Sequence, residues 1–154
     1  MGVHLERLQE CDWQRLNSLM VATRGPEGGI YDEKHGRRIL KQTYREVWVA
    51  TDGSVDIGIV RSTIVKEGEE TTIVVNTLFV KKSHRGGGVG SDLLRRVEEW
   101  AVEKKILIIK TSVDLKIENP DKVVAWLGSK GFEEISSGTN FIGLRKQTVE
   151  EGSG

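Results

Sequence analysis

The sequence predicts an α/β chain built on a mixed, mostly antiparallel sheet. Three observations carry that expectation. Apolar residues alternate with a period of two from Arg45 to Val80, broken by the turn signals Asp52-Gly53 and Glu67-Gly68. A glycine-rich stretch then opens a helix with one clean apolar face, and a short apolar run, a second helix and a hairpin close the chain.

Element by element, Val3 to Leu8 alternates as a half-buried strand, and Asp12 is placed to cap a helix that buries Trp13, Leu16, Leu19 and Met20. Arg24-Gly25-Pro26-Glu27-Gly28-Gly29 breaks that helix, and a loop carries Tyr31 and Asp32. A polar helix from Glu33 to Tyr44 should bury Ile39, Leu40 and Thr43, lightly enough for this region to form a substrate lid. Val47 to Ala50, Ile57 to Val65 and Thr71 to Val80 read as three strands of a meander. In the next helix Leu93, Leu94, Val97, Trp100 and Ala101 share a face. Ile106 to Ile109, apolar throughout, suggests a strand covered on both sides. Asn119-Pro120 starts a helix that stops at Gly131, and Phe132–Ser136 with Thr139–Arg145 form the last hairpin. The order is β-α-α-β-β-β-α-β-α-β-β.

At 154 residues the chain suits one domain, 1–146, followed by a polar tail, 147–154, expected to be disordered. The 23 basic residues balance 23 acidic ones, which argues against a nucleic-acid protein working through its overall field. A single cysteine, Cys11, excludes an internal disulfide framework and a cysteine-built zinc site, and is read as structural; no metal is expected. No apolar run approaches a membrane span, and Met1 to Glu6 lacks a charged-then-apolar layout, so a soluble cytoplasmic protein with no membrane partner is expected. Of the four tryptophans, Trp13, Trp48 and Trp100 read as core, while Trp126 is less committed.

The strongest signal is Arg85-Gly86-Gly87-Gly88-Val89-Gly90-Ser91 between a strand and a helix. Glycines let backbone N–H groups turn toward one point, and a helix N-terminus attracts anions. Lys81, Lys82, His84 and Arg85 add cationic groups, so the loop reads as a phosphate cradle rather than a mere turn. A P-loop would need a lysine before Ser91, and a dinucleotide fingerprint would need a third glycine at Ser91 or Leu93.

Arg85-Gly86-Gly87-Gly88-Val89-Gly90 resembles the Arg/Gln-x-x-Gly-x-Gly/Ala signature of the GNAT superfamily of acyl-CoA N-acyltransferases. Leu78-Phe79-Val80 before it, Asn119 after the next strand, and Gly131-Phe132 closing the following helix fit the same pattern, and the element order agrees from Val3 to about Lys146. The resemblance implies that acetyl-CoA is the cofactor, with its pyrophosphate on the amides of Arg85 to Ser91. It implies that the pantetheine arm runs along Leu78, Phe79 and Val80, that the thioester lies where this strand parts from the next, and that Asn119 contacts the arm. A backbone N–H near Leu78 would face the acetyl carbonyl, where negative charge builds as an amine attacks. Two positions depart from the family. Leu127 stands where members often carry a tyrosine acid, and Asn76 where many carry a glutamate base.

Catalysis would then rest on Leu78 and on positioning, with His84 and Asp114 as the groups singled out to relay protons, and Ser112, Glu118, Tyr31 and Tyr44 behind them. The expected function is N-acetylation of a primary amine on a small molecule or peptide. The alternative is a non-catalytic acyl-CoA-binding domain of the same fold, and a dinucleotide-binding module is a distant third. Family members often form homodimers, an option the chain leaves open.

Overall fold

The computed structural model describes residues 2–24 and 31–148. Its elements run β1 (Val3–Arg7), a 3-10 turn (Glu10–Asp12), α1 (Trp13–Arg24), α2 (Glu33–Lys41), β2 (Arg45–Asp52), β3 (Val55–Glu67) and β4 (Glu70–Val80). A second 3-10 turn (Lys82–His84), α3 (Val89–Lys104), β5 (Ile108–Asp114), α4 (Pro120–Ser129), β6 (Glu133–Ser137) and β7 (Phe141–Gln147) follow. The strands form one seven-stranded sheet in the order β1-β2-β3-β4-β5-β7-β6. Of the recorded ladders, β4–β5 is parallel and β1–β2, β2–β3, β5–β7 and β6–β7 are antiparallel. The expected fold class and element order hold. No described helix is long and apolar enough to cross a membrane.

The chain divides into two compact units, with the divisions falling inside β3, β4 and α3. The first comprises Met1–Thr63 and Thr77–Arg96. Its core joins Leu16, Leu19 and Met20 of α1 and Ile39 of α2 to Val47, Val49 and Ile59 of the sheet. These side chains are buried at helical spacing on α1 and at alternate positions on the strands, so one apolar stripe covers one face. Beyond the stripe, the Arg15 guanidinium holds Asp56 through two bonds of 3.0 and 2.8 Å and also reaches Glu6, which ties α1 to β3 and β1. The hydrogen bond that Arg15 donates to Asp56 raises the Arg15 pKa above its already high ordinary value. Gly58 admits α3: a Cβ there would lie 3.1 Å from the Phe79 carbonyl and 3.2 Å from Leu93.

The second unit comprises Ile64–Asn76 and Val97–Gly154. Its buried residues include Ile73 and Val75 of β4, Val97, Trp100 and Ala101 of α3, Ile109 and Val113 of β5, Leu127 of α4, Phe132 and Leu144. The β4–β5 ladder runs from Thr72↔Ile108 to Val75↔Thr111. At the end of α4, Gly131 takes φ +96°, and the N–H of Phe132 returns to the Leu127 carbonyl at 3.1 Å, which ends the helix as the sequence predicts.

Several local expectations need correction. Asp12 does not cap α1 but ends the 3-10 turn, where its carboxylate accepts the Gln9 N–H at 2.8 Å. In α2, Gly36 rather than Thr43 joins Ile39 as a buried residue, because its missing side chain lets the Trp13 Cβ approach. Leu107 is 38 % exposed, so the apolar run 106–109 is not covered on both faces. The last strand begins at Phe141, two residues after Thr139. Gln147 ends β7, and Thr148 is buried, its N–H on the Leu107 carbonyl and its hydroxyl on that of Ile106. Those two residues belong to the fold rather than to a tail; the rest of the predicted tail and the loop break at 25–30 lie outside the described residues.

Candidate active site

The candidate site begins where β4 ends. Leu78, Phe79 and Val80 are half-buried, and the N–H of Lys81 bonds the Ile57 carbonyl at 2.8 Å, holding the chain against β3 as it leaves the strand. The 3-10 turn then reverses it, with His84 N–H on Lys81 at 2.9 Å and Arg85 N–H on Lys82 at 3.4 Å. Arg85 folds back over β4: its Nε donates to the Val80 carbonyl at 2.8 Å, and its guanidinium lies 5.7 Å from the centre of the Phe79 ring. That arrangement fixes the entry to the glycine loop and engages one side of the Val80 carbonyl. Lys81 and Lys82 make no ion pair with any described carboxylate, leaving two cations beside the loop.

Within the loop, Gly86 and Gly88 take φ of +86° and +87°, a region that an L side chain disfavours. A Cβ at either position would meet no atom within 4 Å, so both face open space. The first bond of α3 runs from Asp92 N–H to the Gly88 carbonyl at 3.0 Å. An α-helix that begins this way leaves the N–H groups of Val89, Gly90 and Ser91 without intrahelical acceptors, at the positive end of its dipole. Among the described residues, an open surface, amides without intrahelical acceptors and two lysines that pair with no carboxylate fit the pyrophosphate of a coenzyme A ligand. Any side chain at Gly86 or Gly88 would project into the space such a group needs.

His84 does not stand free. Its Nε2 lies 3.0 Å from the Asp52 carboxylate on β2, and its Nδ1 lies 2.8 Å from the Ser83 hydroxyl. With both ring nitrogens engaged, it fastens the turn before the glycine loop to the β2–β3 hairpin.

Asp114, Asn119, Leu127, Trp126 and Asn76 belong to the second unit. The Asp114 carboxylate accepts the Lys116 N–H at 2.8 Å, the capped turn that its position at a strand end suggested. Asn119 occupies the N-cap position of α4 in a left-handed conformation, φ 55° and ψ 56°, and its exposed side chain makes no capping bond. Asparagine is among the few non-glycine residues that adopt this conformation readily. Leu127 is buried, a core residue where the family pattern often has a polar one, and Trp126 is half-buried with the Lys130 ammonium 5.8 Å from its ring. Asn76 is exposed on β4.

Trp100 is core as expected. Trp48 is only half-buried, its indole N–H on Glu46 and its face under the Arg96 guanidinium at 4.6 Å. Cys11, read as structural, is free and exposed. Among the described residues no group of three His, Cys, Asp or Glu side chains could hold a metal ion. Sequence reasoning passed over Arg61. It is 7 % exposed on β3 and donates to the Tyr31 hydroxyl at 2.7 Å. The signal was present, since Arg61 falls two residues after Ile59, on the apolar face of the strand.

Residues 43–134, well over half of the chain, match the acetyltransferase (GNAT) domain family. The chain belongs to the GNAT acetyltransferases. Its fold is shared by solved structures of low sequence identity. An aminoglycoside acetyltransferase from an uncultured soil metagenomic sample is 20 % identical, with 90 % of this chain and 96 % of that one covered at a TM-score of 0.79. PaiA N-acetyltransferase from Thermoplasma acidophilum, in complex with coenzyme A, is 16 % identical over 96 % of this GNAT chain and 99 % of its own, TM-score 0.70. Arabidopsis thaliana Naa50, in complex with the bisubstrate analogue CoA-Ac-MVNAL, is 18 % identical over 95 % and 99 %, TM-score 0.73. No curated protein sequence matches the chain significantly.

Proposed function

We propose that this GNAT chain is an N-acetyltransferase that uses acetyl-CoA to acetylate a primary amine of a small molecule or peptide, with residues 1–146 acting as one domain. The observation that carries the reading is the glycine loop: two left-handed glycines facing open space, followed by a helix N-terminus whose amides lack intrahelical partners. Arg85 to Ser91 would hold the pyrophosphate, with Lys81 and Lys82 at its outer edge. The backbone of Leu78, Phe79 and Val80 would align the pantetheine arm, and Asn119 would contact it. Acetyl-CoA, when bound, supplies the acetyl group as a thioester, whose carbon–sulfur bond is exchanged for a carbon–nitrogen bond while a free thiol leaves. The N–H of Leu78 would stabilise the negative charge on the acetyl oxygen.

Family names such as the aminoglycoside acetyltransferase and Naa50 support an amine acceptor. The buried Leu127 supplies no acid, so the chain's contribution is chiefly to hold amine and thioester in reach, an effect that can supply a large share of an acceleration. Asp114 is the proposed proton acceptor on β5, its Oδ1 already bonded to Lys116 N–H. His84 acts by position.

The same absence of an acid at Leu127 favours, as second reading, a domain that binds an acyl-CoA without turning it over. Thermal unfolding with acetyl-CoA, with NAD and ATP as controls, followed by a thiol-release assay over a panel of amines, separates the readings. Stabilisation by acetyl-CoA alone with thiol release on adding an amine supports the enzyme. Stabilisation without thiol release from any amine supports the binding domain, and no stabilisation at millimolar ligand overturns both.

A further inference from the structure

Arg61 presents a charge problem that the fold does not solve. Its guanidinium is buried, and its partners are neutral: Nη1 donates to the Tyr31 hydroxyl at 2.7 Å and lies 3.6 Å from the Met20 sulfur. Buried arginines are ordinarily paired with an anion, because desolvating an uncompensated charge is costly. Among the described residues none provides one. On the strands of the first unit, Glu46 is committed to Arg7 and Trp48, Asp56 to Arg15, and Asp52 to His84. On the helical side, Asp12 serves Gln9 and Arg15, Asp32 serves His35, and Glu10 and Glu33 pair with Arg37.

A second guanidinium lies nearby. The β2–β3 register pairs Arg45 with Thr63 and Val47 with Arg61, so Arg45 and Arg61 are diagonal neighbours on one face of the sheet. The Nε of Arg45 is buried without a hydrogen-bond partner among the described residues. The rest of that face is the apolar cluster of Val47, Val49 and Ile59 under α1 and α2. Two arginines, one nine-tenths buried and the other with an orphaned donor, therefore lie at the edge of an apolar cluster, and no carboxylate among the described residues pairs with either.

We infer that Arg61, with the Tyr31 hydroxyl and Arg45 beside it, forms a subsite for a carboxylate, and that the acceptor amine carries one. This inference rests on the acetyltransferase reading and narrows its substrate class to amino-carboxylates, such as free amino acids, in preference to simple amines. The guanidinium fork matches a carboxylate bidentately, and at a buried site such a pair discriminates strongly against ligands that lack the anion.

The test compares matched pairs: alanine, phenylalanine and lysine against ethylamine, phenethylamine and cadaverine. Thiol release is measured with acetyl-CoA, and thermal unfolding with each compound is measured with and without coenzyme A, so that binding is read independently of turnover. The wild-type protein is expected to prefer the carboxylate member of a pair by about 30-fold or more in kcat/KM, or to be stabilised by it alone. Arg61→Met, which retains length and suits apolar surroundings, should abolish that preference while keeping the acetyl-CoA midpoint shift and an unchanged or raised unliganded midpoint. Arg61→Lys, which keeps the charge and loses the fork, should retain part of the preference. No preference within any pair, or a preference that survives Arg61→Met, overturns the inference. An unliganded midpoint that collapses in both variants assigns Arg61 a structural role and also overturns it. Absence of any acetyl-CoA shift in the wild type counts instead against the acetyltransferase reading.

Discussion

Replacing Gly88 by alanine separates the strain of the glycine loop from its proposed role. Gly88 has φ +87°, and an added Cβ meets nothing within 4 Å, so the cost to the unliganded fold is backbone strain alone. A left-handed L-residue costs about 1–2 kcal/mol, and at this chain length each kcal/mol moves the unfolding midpoint by roughly 2–4 °C. The unliganded midpoint should therefore fall by about 2–8 °C. Acetyl-CoA at a hundred times its dissociation constant should stabilise the wild type by about 2.7 kcal/mol, or roughly 5–10 °C. If the loop holds the cofactor, the new methyl group crowds it, and each tenfold loss of affinity removes about 1.4 kcal/mol of that stabilisation. Gly87→Ala is the internal control. Gly87 has no positive φ, and its Cβ would meet only the His84 carbonyl at an ordinary 3.8 Å, so its unliganded midpoint should stay within about 2 °C. Scanning calorimetry of the three proteins with and without acetyl-CoA decides the matter. If Gly88→Ala loses unliganded stability yet keeps a wild-type acetyl-CoA shift, the loop is strained but does not hold the cofactor.

Two further changes test the surroundings. Asp52→Asn removes the charged partner of His84 and should raise the acetyl-CoA KM by about 3–10-fold with kcat nearly unchanged; a large fall in kcat at constant KM would instead make His84 a proton carrier. Gly143→Ala puts a Cβ 2.5 Å from the Ser136 hydroxyl across the β6–β7 pair and should cost about 1–3 kcal/mol in urea unfolding. Ser136→Ala in the same chain should recover most of that loss, and a neutral single variant would show that the two strands are not packed as described.

Much of the fold was legible because it depends on local periodicity. The face of α3, the turns at Gly53 and Gly68, both at positive φ, and the end of α4 at Gly131 all follow from side-chain spacing and glycine placement. Errors arose where a partner distant in sequence decided the outcome. Thr43 and Gly36 differ in burial because Trp13 packs against the glycine, and Leu107 is exposed despite its apolar neighbours. Asp12 satisfies a backbone donor behind it rather than ahead of it, since a 3-10 turn precedes α1.

The site divides along the same line. By itself, the sequence determined that a glycine-rich turn opens a helix beside basic residues, the pattern from which an anion-binding helix N-terminus is expected; those features need only adjacent residues. The tertiary structure decided which basic groups are spoken for. Arg85 is turned back onto Val80 and Phe79, His84 is tied to Asp52, and Lys81 and Lys82 pair with no carboxylate among the described residues. It also decided that no carboxylate among the described residues pairs with Arg61, although the chain is formally neutral. Net charge is a sum over residues, whereas compensation of a buried charge requires an opposite charge within a few ångströms, and only the packing of α1 and α2 on β2 and β3 assigns each carboxylate its arginine.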